Sequence, residues 1–165
     1  MIYGNPLRGG EKPMTRMNML IAGKVNGSHT VAFYVKGRPV PKQSFRVAGR
    51  GHGYQSARVK AWQSDVGWTA QAAMRALGKT DPLVGQLDVR LHFNLVNHRP
   101  MDLDNLSKGT LDACNRVVWQ DDRQIVDLHI TKSVDARNPG VFVHVSERKV
   151  NSGNSLSRAH DTDSP

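Results

Sequence analysis

Gln86–Leu95 carries the sharpest alternation in the chain. Leu87, Val89, Leu91, Phe93 and Leu95 fall on one side and Asp88, Arg90, His92 and Asn94 on the other, the period of two that a half-buried strand requires. Thr30–Lys36 repeats the pattern with Val31, Phe33 and Val35 before Gly37-Arg38-Pro39-Val40-Pro41 ends it. Between these segments the period lengthens. From Ser56, a capping residue, Val59, Trp62, Val66, Ala70, Ala73 and Leu77 recur every three or four positions, predicting an amphipathic helix that ends near Gly78. Trp62 and Trp68 are both expected in the core. A second helix is predicted from near Asn105 to about Asn115, with Leu106, Leu111 and Cys114 turned inward, and two further strands around Ile125–Lys132 and Val141–Ser146. The predicted fold is α+β, a mixed β-sheet with two α-helices on one face, in the order β-α-β-α-β-β.

The flanks lack any such period. Residues 1–28 are rich in Gly, Met, Asn and Lys and are expected to form a flexible arm; 151–165 are Ser, Asn, Asp and Gly and are expected to be a tail. The folded unit is then 29–150, and 165 residues suit one domain with a real core. Cys114 is the sole cysteine, which rules out an intramolecular disulfide and a cysteine-based zinc site, and its apolar surroundings predict a buried thiol. No run approaches a membrane span, and no secretory signal is visible, so a soluble cytoplasmic protein without membrane attachment is expected.

Charge changes the picture. The formal net charge is +9, which favours polyanionic partners, nucleic acid first. Residues 29–60 hold seven bases and no acid, whereas six of the fourteen acidic residues crowd between Asp102 and Asp127. In that island the order runs Asp102-Leu103-Asp104-Asn105, Lys108, Asp112, then Asp121-Asp122. Asp102 and Asp104 flank one residue just before the second helix, so in extended backbone both carboxylates leave the same side of the chain. Lys108 and Asp112 follow at helical spacing, which points Lys108 back at the carboxylates. If short connections bring Asp121-Asp122 alongside, up to four carboxylates share one cluster, strongly repulsive without a cation. Hard oxygen donors select Mg2+, Mn2+ or Ca2+. Such an ion with a lysine beside it fits phosphodiester hydrolysis. Blander readings exist for each residue: a helix cap for Asp102 or Asp104, a turn with Arg123 for Asp121-Asp122, and a surface ion pair with Lys108 or Arg116 for Asp112. His129 and His144 are expected to line a strand face. No Ser/His/Asp order or nucleotide fingerprint is present.

Asp102-Leu-Asp104-Asn105-Leu-Ser-Lys108-x-x-x-Asp112, followed by Val118-Trp119-Gln-Asp121-Asp122-x-Gln124-Ile125, resembles the RusA family of Holliday junction resolvases of bacteria and their phages. Phe33-Tyr-Val-Lys-Gly37-Arg-Pro39-Val-Pro41-Lys42-Gln-Ser-Phe-Arg46 is similar to the family's first strand and basic segment, and the resemblance covers about 30–148. It implies a homodimeric, Mg2+-dependent endonuclease, with Mn2+ as a substitute, that binds four-way DNA junctions and nicks opposing strands symmetrically. By position it implies Asp102, Asp104 and Asp122 as metal-binding catalytic carboxylates, Asp121 as an accessory acid and Lys108 as the catalytic lysine. The stretch from Ala113 to Val118 lacks the glycine usual before the Val-Trp pair and is about one residue short, which leaves the register of Asp121 against Asp122 open, the second acid being favoured. Lys36, Arg38, Lys42, Arg46, Arg50 and Lys132 are the candidate DNA contacts. Two other readings of the residues stand beside this one: a non-catalytic DNA-binding or regulatory protein, and a nuclease acting on other branched DNA or on RNA.

Overall fold

The computed structural model describes residues 20–25, 28–42 and 56–148. It contains β1 (Leu20–Val25), β2 (Ser28–Lys36), α1 (Ala57–Ala76), β3 (Leu87–Leu95), α2 (Leu103–Cys114), β4 (Ile125–Val134) and β5 (Gly140–Glu147). The class is α+β as expected, with one strand more than the sequence suggests. β1 lies within residues 1–28, whose composition predicts a flexible arm, and pairs antiparallel with β2 from Leu20↔Phe33 to Val25↔Ser28. The remaining parts of that arm, and the tail 151–165, lie outside the described residues.

The five strands are ordered β1-β2-β5-β3-β4. All neighbours are antiparallel except β3 and β4, which are parallel and therefore need a crossover, supplied by α2. α2 begins after the carboxyl end of β3 and ends before the amino end of β4, so its two ends lie at opposite ends of these strands. α1 packs on β1, β2 and α2, and α2 reaches β4. The alternation read from β3 is realised residue by residue: Leu87, Val89, Leu91, Phe93 and Leu95 are buried under the helices with Val31, Phe33, Val35, Val141, Val143 and Val145. Among the described residues the opposite face carries no helix. There Asp88, Arg90, His92, His129, Thr131, Phe142 and His144 line a shallow trough, His129 and His144 on a strand face as expected.

Ser56 caps α1, its Oγ accepting from the Val59 amide at 3.3 Å. Trp62 is buried as expected, but Trp68 is 50% exposed. Position 68 falls between the helical rows that bury Trp62, Val66, Ala70 and Ala73, so the period of the helix turns it outward. Cys114 is fully buried, and burial pushes its thiol pKa up, Asp122 adding to the effect. No helix among the described residues is long and apolar enough to cross a membrane.

Gly140 opens β5 opposite Lys36, at a point where a methyl group would meet the Val35 carbonyl and, at 2.5 Å, the Tyr34 hydroxyl. That hydroxyl already donates to the Asn138 carbonyl at 2.6 Å. Gly140→Ala is expected to cost about 1–3 kcal/mol through overpacking, visible as a lower urea midpoint with an unchanged m-value. A midpoint equal to wild type would mean that the β2–β5 junction yields.

Candidate nuclease site

α2 starts two residues earlier than its sequence suggests. Asp102, not Asn105, occupies the N-cap position, and Asp104 is already in the first helical turn. The two carboxylates therefore do not leave one extended segment side by side, as the sequence reading had it; they flank a helix N-terminus, both exposed. The common fate of such an aspartate, capping, is not taken here, since the Asp102 side chain makes no cap hydrogen bond. Among the described residues it accepts from Asn105 Nδ2 at 3.3 Å. Lys108 Nζ donates to Asp104 Oδ2 at 3.2 Å across one helical turn. That hydrogen bond lowers the Asp104 carboxyl pKa below the usual carboxylate value. Lys132, reaching from β4, donates to the Met101 carbonyl just before Asp102, so a second ammonium flanks the pair.

The ion pair that Asp112 makes is with neither Lys108 nor Arg116. Asp112 pairs with Lys42 and lies 3.5 Å from Gln63 Nε2, clipping the strap after β2 to α1 and α2. The strap passes close to α2 at Gly109, the Val40 carbonyl and Lys42 Cβ sitting 3.7 and 3.8 Å from where its Cβ would be, ordinary contact distances. The Lys42 amide also donates to the Asn105 carbonyl at 2.8 Å, so the chain enters its basic stretch beside the carboxylate pair. Lys36, Arg38 and Lys132 are exposed, Lys42 is half-buried and paired, and Arg46 and Arg50 lie outside the described residues.

Asp121 and Asp122 have separate surroundings. Asp121 caps the 3-10 turn Asp122–Gln124, accepting from the Arg123 amide and from its guanidinium, both at 2.9 Å. Arg123 holds the Asp121 carboxyl pKa down to about 2. This carboxylate is spent on the turn. Asp122 is exposed and accepts at Oδ1 from the Trp119 indole N–H at 2.8 Å. Gln124 holds this turn together: its Oε1 accepts from the Gln120 and Asp121 amides at 2.8 and 3.0 Å, and its Nε2 donates to the Leu83 and Gly85 carbonyls. The reverse turn leading into it contains Arg116 at φ 62°, where the sequence lacks the expected glycine. Neither Gln124 nor Trp119 had an assigned role from sequence, though both stand in the motif.

The expected cluster of four carboxylates is not formed within one chain. α2 has 12 residues, about 18 Å of helix, and separates Asp102 and Asp104 from the turn bearing Asp122. β4 gives the same answer, because Lys132 touches Met101 whereas Ile125, next to the Asp122 turn, is seven strand residues away, about 23 Å. Among the described residues no three His, Cys, Asp or Glu side chains lie close enough together to hold an ion. Short connections alone predict that consecutive elements are adjacent; a parallel crossover instead spends its helix on carrying the chain from one end of the strands back to the other.

The family model for Endodeoxyribonuclease RusA matches residues 36–146. The crossover junction endodeoxyribonuclease RusA of Escherichia coli (strain K12) is 32% identical over 84 residues, covering 50% of this chain and 67% of its own length. A protein of the same name from Enterobacteria phage 82 is 31% identical over 84 residues, with the same coverage. That of Aquifex aeolicus (strain VF5) is 25% identical over 117 residues, covering 70% of this chain and 90% of its own.

Proposed function

This chain belongs to the RusA endodeoxyribonuclease family, and from that premise we propose that it resolves four-way DNA junctions as a Mg2+-dependent homodimer acting in the cytoplasm. The observation that carries the site reading is the exposed Asp102/Asp104 pair with Lys108 Nζ 3.2 Å from Asp104. Two uncapped, hard-oxygen carboxylates at a helix start fit Mg2+ or Mn2+, which are commonly held by one or two carboxylates with phosphate and water as the remaining ligands. A cation bound there supplies charge neutralisation and Lewis acidity to the scissile phosphate.

The chain's own groups do the rest. Asp104, kept ionised by Lys108, stays an acceptor through the neutral range. Lys108 holds an ammonium where negative charge would grow on the phosphate, and Lys132 steadies the Met101 carbonyl that leads into Asp102. Asp122 is the third ligand in this reading, and the length of α2 supports its arrival from a second copy. Two chains related by a two-fold axis beside α2, helices antiparallel, would bring the amino end of one against the carboxyl end of the other. Val126, Leu128 and Val134, 44%, 42% and 39% exposed on edge strand β4, are apolar surface that such contact would cover. Two composite sites then match the two cuts of a two-fold symmetric junction. Lys36, Arg38 and the basic stretch beyond Lys42 are the proposed arm contacts, made to phosphates.

Incubation with labelled four-way junction, flap and linear duplex, with and without Mg2+, tests the reading on a denaturing gel. Paired, Mg2+-dependent incisions confined to the junction support it; preferential flap cutting, or binding without product, refutes it. Lys108→Ala is expected to lower the single-turnover cleavage rate about 10²–10³-fold with junction affinity little changed in a gel shift. Wild-type cutting by that variant would remove the lysine from the mechanism.

A further inference from the structure

Trp119 is fully buried, yet its indole N–H does not bond within the core. It donates at 2.8 Å to Oδ1 of the exposed Asp122. A buried indole N–H usually finds an acceptor, and a backbone carbonyl would satisfy it as well as a surface carboxylate. Here a rigid donor grips one oxygen of the carboxylate, while no described residue donates a hydrogen bond to the other. The indole itself cannot drift: the Trp119 carbonyl accepts from the Arg116 amide at 2.6 Å, and the residue bridges to both Leu83 and Asn115. Gln124 and the Asp121 cap fix the turn beyond it.

We propose that Trp119 is a positioning residue for Asp122, holding its carboxylate in the orientation in which it meets a divalent cation. The inference rests on the reading of Asp122 as a ligand given above. Outer partners that orient a ligating group change metal affinity or activity about 10–100-fold when removed. The bland alternative is that the carboxylate merely satisfies the indole, in which case the cation would not sense the N–H.

The test replaces Trp119 with phenylalanine and, to preserve shape, with benzothienylalanine, whose ring carries sulfur in place of N–H. Mn2+ binding to the full chain without DNA is followed by calorimetry, alongside the Mg2+ dependence of junction cleavage and the thermal midpoint. Both variants are expected to need about tenfold more cation, to regain cleavage at saturating Mg2+ and to keep the junction KM, with the isostere melting close to wild type. In the wild-type protein the Trp119 indole resonance, identified by its loss in Trp119→Phe, should move as Mn2+-free Mg2+ is titrated. That of Trp62, whose Nε1 is buried without a described partner, should stay. An isostere that binds Mn2+ like wild type, or an unmoved Trp119 resonance with cation bound, overturns the proposal. Asp122→Asn separates the two levels. If it binds cation and cleaves normally, the ligand reading itself fails; if it is inert while the isostere behaves as wild type, only the positioning role falls.

Discussion

Asp104→Asn is expected to abolish junction cleavage while junction binding persists or tightens. The substitution keeps the size of the side chain and its place in the first turn of α2, so the fold has no reason to change. It removes one of two exposed negative charges that face incoming phosphate, which favours association. It also leaves the Lys108 ammonium without its ionised partner at 3.2 Å. In the proposed reading Asp104 is a direct ligand, and its loss should exceed the about 10–100-fold typical of losing an outer partner, taking single-turnover cleavage to background at millimolar Mg2+. A gel shift at fixed salt checks binding and a denaturing gel checks cleavage. If the variant cuts with Mg2+ at a tenth of the wild-type rate or better, the carboxylate pair is not the metal site.

Combining two inactive variants should restore activity, an expected result that depends wholly on how the site is assembled. In a mixed dimer of Asp104→Asn and Asp122→Asn chains, one composite site receives an intact Asp102/Asp104 pair from one chain and an intact Asp122 from the other. Its sister site lacks both. Co-expressed chains with different tags, isolated through both tags, should therefore nick a cruciform plasmid to open circles without producing linear molecules, because only one of the two sites works. Were each site made within one chain, every site in the mixture would be defective and the plasmid would stay supercoiled. The geometry argues for rescue: about 18 Å of helix stands between the two halves of the carboxylate set in one chain.

The parts of this fold that can be read from sequence are those with two unlike faces. β3 and α1 separate water from core at every step, so their periods survive any tertiary context, and Trp68 was predictable as an outward residue from the same rows that bury Trp62 and Val66. β1 was missed because Leu-Ile-Ala-Gly-Lys-Val has no alternation, its strand character coming from pairing with β2. A signal was nevertheless present: Asn26-Gly27 stands between the two segments, and Asn-Gly is a strong hairpin turn sequence.

Within the candidate site, the order of residue types revealed the carboxylates and Lys108 but not their separation. Asp121 and Asp122 are adjacent in sequence, and what divides them is partners: Arg123 occupies the first, a buried indole grips the second. Such a division depends on the backbone of one 3-10 turn, which sequence does not specify. The distance between Asp104 and Asp122 follows from β3 and β4 being parallel, a pairing that spacing alone leaves undecided.

The strand order carries a consequence for biosynthesis. Among the described residues β5 is the last strand in the chain, yet it lies in the middle of the sheet, joining β2 on one side to β3 on the other. In chain order the segments for β1, β2 and α1, and those for the β3–α2–β4 crossover with every candidate carboxylate, are all present by Val134, but the strand that joins the two groups is not. Domains generally fold as units during synthesis, and this one closes only when Gly140–Glu147 slots between its halves. The candidate carboxylates and the basic segment after β2 therefore come to share one sheet only once β5 has been made, so the nuclease fold cannot assemble around its candidate site before that strand emerges.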